Sequence, residues 1–98
     1  MPKISVLMSV YNHEAWLKKS IESIIYQTFS DFELIIINDG STDGSLNIIK
    51  SYNDCRIKLI NNEKKLGLPK SLNRGLKICK SKIIARMDAD DISMKNRL

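Results

Sequence analysis

Glu33-Leu34-Ile35-Ile36-Ile37-Asn38-Asp39-Gly40-Ser41-Thr42-Asp43 decides the fold of this chain. Leu34 to Ile37 form an unbroken apolar run. A strand wetted on one face alternates polar and apolar residues, whereas a strand covered on both faces is apolar throughout. The run stops at Asn38-Asp39-Gly40, and Ser41, Thr42 or Asp43 can cap a helix that starts there. A doubly covered strand feeding a helix is the unit of a parallel α/β sheet.

Working outward, four β-like runs emerge, at residues 3–11, 33–38, 56–61 and 82–87, all rich in Ile, Val and Leu. Their starts are spaced by roughly 25–30 residues, the length of a strand–helix–strand unit. The gaps carry helical periodicity. In the first, Leu17, Ile21, Ile24, Ile25 and Thr28 share a face, and Asn12 suits an N-cap with Glu14 at the positive helix end. In the second, Leu46, Ile49 and Tyr52 face inward. In the third, Pro69 fits a first helical position and Leu68, Leu72, Leu76 and Cys79 point to the sheet. Residues 93–98 read as the start of a fourth helix. The order β-α-β-α-β-α-β, with right-handed crossovers, predicts a doubly wound, Rossmann-like parallel sheet.

The 98 residues and 11.2 kDa bound this to a single domain, residues 1–98. With 43% apolar and 28% charged residues, the chain is neither disordered nor membrane-spanning. No run approaches the ~20 apolar residues of a transmembrane helix, and no leader is read at the N-terminus. Cys55 and Cys79 form no CxxC and have no His nearby, so a reducing, cytoplasmic compartment is expected. The net charge of +5 raises nucleic-acid binding only weakly, because Lys and Asn are abundant throughout. A basic α/β module that binds nucleic acid or a protein partner is the competing reading.

In an open α/β sheet, ligands bind at the carboxyl ends of the strands, where strand order reverses. Five of the seven aspartates (Asp39, Asp43, Asp88, Asp90 and Asp91) fall on that edge, which folding alone does not require. GxGxxG and GxxxxGK[ST] are both absent, so any diphosphate bound here needs another source of positive charge. Asp88 and Asp90, with Asp91 beside them, suit a divalent cation, Mg²⁺ or Mn²⁺, in an oxygen-rich shell. Capping of a following helix by Asp91 or Ser93 is the plain alternative, and a lone D-x-D does not choose between them.

Several stretches taken together choose better. They are Ser9-Val10-Tyr11-Asn12, then Leu17, Ser23 and Gln27 along the first helix, and Asn38-Asp39-Gly40-Ser41-Thr42-Asp43. Gly67 to Asn73-Arg74-Gly75 and Asp88-Ala89-Asp90-Asp91 complete the series. In order and spacing this resembles the nucleotide-binding half of the family-2 inverting glycosyltransferases, which have the GT-A fold. The resemblance implies a nucleotide-sugar donor, most often a UDP-sugar, and a divalent metal. It also implies that Tyr11 stacks on the base and Asp39 hydrogen-bonds it. Asp88 approaches the ribose or a metal-bound water, and Asp90 ligates the metal. The candidate nucleotide-binding residues are Tyr11, Asn12, Glu14, Asp39, Ser41, Asp88 and Asp90, with Asp88 and Asp90 as the metal ligands. Structural roles stay open at this point: Tyr11 can staple the first helix, Asp39 can order its own turn, and Glu14 and Asp43 suit helix ends. His13, the only histidine, reads as a solvated helix-start residue.

The family often has proline where Ser9 stands, and arginine where Leu72 stands. Lys70, Arg74 and Lys77 form a basic stripe that reads as a solvated helix face. An acceptor hydroxyl must be deprotonated while the metal holds the leaving nucleotide. In the resembled family that base comes from the half of the domain after the D-x-D stretch; no acid follows Asp91 here, so the resemblance implies a base beyond Leu98 and a chain that is the donor-binding fragment of a larger catalytic domain. The fourth strand is then an exposed edge, which predicts self-association.

Overall fold

The computed structural model describes residues 2–27 and 30–88. Four strands, β1 (Ile4–Val10), β2 (Phe32–Asp39), β3 (Ile57–Asn62) and β4 (Ile83–Asp88), alternate with three helices, α1 (Glu14–Ile25), α2 (Ser45–Lys50) and α3 (Leu68–Ile78). The strands form one parallel sheet in the order β3-β2-β1-β4. The chain moves outward from β1 to β2 to β3, then crosses back to lay β4 on the other side of β1. Strand order thus reverses beside β1, and the carboxyl ends there are where an open α/β sheet is expected to bind its ligand.

All eight residues of β2 are buried, as its apolar run requires. On one face Val6, Met8, Val10, Leu34 and Ile36 pack against Leu17, Ile21 and Ile24 of α1 and Ile49 of α2. On the other, Leu7, Ile35 and Ile37 pack with Leu72 and Cys79 from α3 and its end. Burying Leu34, Ile35, Ile36 and Ile37 contributes about 6–12 kcal/mol as an upper estimate, so β2 is the spine of both layers. The doubly wound α/β class read from the sequence is the fold observed.

The α1 face is Leu17, Ser20, Ile21 and Ile24, with Ile25 half-buried at the helix end. Thr28 and the helix expected over 93–98 lie outside the described residues. Tyr52 sits just past α2, packs on the core and donates from its hydroxyl to Glu22 Oε2 at 3.1 Å. Burial and the neighbouring Glu22 carboxylate push this phenol up to about 12.

Helix α3 departs from the expected face. Ser71 and Gly75 are its buried residues, while Leu68 and Leu76 are 43% and 45% exposed. The reason is close approach: a Cβ on Gly75 would stand 2.8 Å from both Ile37 Cδ1 and Leu7 Cδ2. The helix presses its small residues onto the sheet and turns two leucines away.

A second polar arrangement ties the amino-terminal side of the sheet. The buried Glu33 carboxylate accepts from Ser5 Oγ and from the Lys80 backbone N–H, the latter at 2.8 Å, so the chain leaving α3 is fastened to β1 and β2. A buried carboxylate needs such donors to offset its lost hydration.

Candidate functional site

At the carboxyl edge, the loops after β1 and β2 are laced together by hydrogen bonds. Asn12 has φ 53, a left-handed conformation that asparagine tolerates better than most residues. Its side chain does not cap α1. Instead, Asn12 Oδ1 accepts from the backbone N–H groups of Thr42 at 2.8 Å and Asp43 at 3.3 Å, and Asn12 N–H donates to Ser41 Oγ at 3.0 Å. The N-cap position of α1 is His13, with no side-chain cap, which corrects the local reading of Asn12. A local cap competes poorly here because a neighbouring loop, some 30 residues away in sequence, offers three partners.

The acidic residues work reciprocally. Asp43 accepts from Glu14 N–H at 3.2 Å and Ser45 N–H at 2.9 Å, and Glu14 Oε2 accepts from Gly44 N–H at 3.0 Å. Each carboxylate thus sits at the positive N-terminus of the other's helix. Burial pushes the Asp43 carboxyl up, but hydrogen bonds from Ser45 and Glu14 outweigh it and leave the group below its ordinary value. His13 is half-buried, with Nδ1 accepting from Tyr11 N–H at 3.3 Å and its own N–H donating to Ser45 Oγ at 3.1 Å.

Asp39 is 2% exposed and turns to the loop after β3 rather than to Ser41 and Thr42. Oδ1 accepts from Leu66 N–H at 2.7 Å and Asn62 Nδ2 at 3.0 Å, and Oδ2 accepts from Gly67 N–H at 3.0 Å. Burial pushes this carboxyl up, yet the donors Leu66, Asn62, Gly67 and Ser71 hold it below its ordinary 3.8. Asp39 is therefore an ionised anchor that fixes residues 62–67. Gly40 locks the same loop from below. With φ +72, a Cβ there would lie 2.5 Å from Lys65 N and 2.7 Å from Lys64 C, so only glycine lets the two backbones meet.

This loop delivers a cation to the aromatic residue singled out in the sequence. Lys65 Nζ lies 4.0 Å from the centroid of the half-buried Tyr11 ring. Beside it, a cleft of about 640 Å³ is lined by Asn61, Asn62, Glu63, Lys64, Leu66 and Arg74. Arg74 donates from Nη1 to Asn62 Oδ1, so this member of the basic stripe reaches the strand end instead of only facing solvent. Leu72 is half-buried among the apolar residues under α3.

The fourth strand completes the edge. Its last residue, Asp88, is the register partner of Ser9 at the end of β1, two residues before Tyr11. The Asp88 side chain, Asp90 and Asp91 lie outside the described residues. Among the described residues no three His, Cys, Asp or Glu side chains converge on a cation position. The backbone therefore places the start of the D-x-D stretch next to the Tyr11 loop.

The structure thus brings Tyr11, Asn12, Glu14, Asp39 and Ser41 to one edge, and gives Asn12, Glu14 and Ser41 loop-bracing partners. Reading the sequence missed Lys65, Asn62 and Ser71. Asn61-Asn62 ends its strand as Asn38-Asp39 ends the one before, and that parallel was the available signal.

Comparison with known proteins agrees with this geometry. The profile of Glycosyl transferase family 2 matches residues 5–98. A glycosyltransferase of Haemophilus influenzae is 48% identical over 94 residues, covering 94% of this chain and 29% of that protein. S. aureus TarS 1-349, solved in complex with UDP, superposes with a TM-score of 0.89 at 32% identity, over 96% of this chain and 29% of TarS 1-349. Mannosyltransferase PcManGT from Pyrobaculum calidifontis, solved with GDP-Man and Mn²⁺, shares the fold at 22% identity with a TM-score of 0.83, over 91% of this chain and 28% of that one. The chain spans under a third of the length of each of these three proteins. Its sequence and its four-stranded GT-A sheet together make it a member of glycosyl transferase family 2.

Proposed function

We propose that this chain is the donor-binding part of a glycosyltransferase, holding a nucleotide-diphospho-sugar, a UDP-sugar first of all, for transfer of the sugar to an acceptor hydroxyl. The observation that carries the reading is the convergence of Tyr11, the Asp39-anchored loop and the end of β4 at one reversal of strand order. UDP bound by a structural relative of 32% identity supports the choice of nucleotide. In this reading the Tyr11 ring is the platform for the base. Asn12, Glu14 and Ser41 hold the platform's loops, and Asp39 presents residues 62–67 beside it. Asp88 and Asp90 hold Mg²⁺ or Mn²⁺, which would neutralise the leaving diphosphate as a Lewis acid. The thiols of Cys55 and Cys79 are unpaired, which fits a cytoplasmic setting. Among the described residues no helix is long and apolar enough to cross a membrane.

Isothermal titration of UDP with and without Mn²⁺ tests the proposal. The expected result is binding that strengthens with metal in the wild-type chain and loses that metal dependence in Asp90→Asn. Absence of UDP binding, or metal dependence unchanged in Asp90→Asn, counts against it. A salt-sensitive oligonucleotide affinity exceeding that for UDP would instead favour the basic-module reading.

A further inference from the structure

Lys65 reaches Tyr11 because the fold places it there. The Lys64–Lys65 backbone rests on Gly40, where even one added carbon would collide at 2.5 Å. The next two residues, Leu66 and Gly67, are pinned by Asp39 at 2.7 and 3.0 Å. Two independent constraints thus bracket Lys65, and its ammonium settles 4.0 Å from the Tyr11 ring centroid. A cation at that distance is attracted by the negative face of the ring. A nucleobase stacks on the same kind of face, and the face that Lys65 covers cannot hold both. The Lys65 stem is flexible and the residue is exposed, so the ammonium can leave while its backbone stays fixed.

We infer that Lys65 is a placeholder on the base platform: its ammonium covers Tyr11 in the nucleotide-free chain and is displaced when the base stacks. This rests on the donor-binding reading above, and makes Lys65 a determinant of nucleotide affinity through a contact that exists only without ligand. Trading an exposed cation–π contact for base stacking weakens nucleoside binding by about two- to fivefold relative to an unoccupied ring.

Uridine is the probe, because it lacks phosphates and removes charge attraction from the comparison. In the free chain the Lys65 ε-methylene protons are expected upfield of ordinary lysine by the Tyr11 ring current. The signal is assigned by its loss in Lys65→Ala, and Tyr11→Leu returns it to the ordinary position. Saturating uridine should return it in the wild type as well, and Lys65→Ala should bind uridine about two- to fivefold more tightly. An upfield shift retained at saturation, or uridine affinity unchanged or weakened in Lys65→Ala, overturns the placeholder while leaving donor binding intact. If neither uridine nor UDP binds the wild-type chain, the donor-binding reading fails and takes the placeholder with it.

Discussion

Asp39 shows how one buried side chain can build a site without being its reactive group. A carboxylate that is 2% exposed would ordinarily be costly, but three backbone and amide donors offset its lost hydration. Removing it in Asp39→Ala orphans those donors, and the expected loss is about 2–3 kcal/mol of stability. The pH dependence has a definite sign. The folded-state pKa lies below the ordinary 3.8, so Asp39 stabilises the fold above that value. That contribution is lost as pH falls through the folded-state pKa. Asp39→Asn resembles the protonated acid in shape and charge. Urea titrations from pH 7 down to 3 should therefore show a stability gap between wild type and Asp39→Asn that narrows below about pH 4. A gap that stays constant across that range would mean that folding does not lower the Asp39 pKa.

Among the elements, α3 marks where sequence reading succeeds and where it stops. Its place and its start were legible from Pro69 and the apolar period, just as β2 was legible from Leu34 to Ile37. Its inward face was legible only in part, since Leu72 and Cys79 pack against the sheet as read but Leu68 and Leu76 do not. Counting apolar residues assigns Leu68 and Leu76 to the sheet, because an amphipathic pattern assumes that the largest hydrophobic residues are the most buried. Here distance of approach decides, and Ser71 and Gly75, one helical turn apart, are the only residues small enough to lie under the axis. The loop lacing was hidden for a different reason: Asn12, Asp43 and Glu14 carry local capping signals, while their partners are some 30 residues away. Gly75→Ala tests the packing argument. Alanine gains about 1 kcal/mol of helix propensity, but a methyl 2.8 Å from Leu7 and Ile37 overpacks at a cost of about 1–3 kcal/mol. The expected outcome is a net loss of up to about 2 kcal/mol by urea unfolding, and a stabilised variant would show that α3 stands off the sheet.

Viewed whole, the described sheet has two edge strands, β3 and β4, and β4 is the one with exposed isoleucines. Among the described residues β4 pairs with β1 alone, and its Ile83 and Ile84 are 62% and 41% exposed. An exposed apolar edge strand is a template for another strand, and a two-fold arrangement would let two β4 strands pair antiparallel and close the assembly. Opposing this, each copy carries a net charge of +5, so like charges repel as two copies approach. Apolar edge pairing should therefore tighten as salt screens the repulsion, whereas association driven by charge complementarity would loosen. Sedimentation equilibrium on the 11.2 kDa chain should show a mean mass that rises with concentration, and rises more steeply at 0.5 M than at about 0.05 M salt. Ile84→Lys places a charge on the edge and should return the chain to monomer. A wild-type chain that stays monomeric at every concentration would show that β4 is not a pairing surface, and association lost at high salt would move the contact away from β4 to the charged faces.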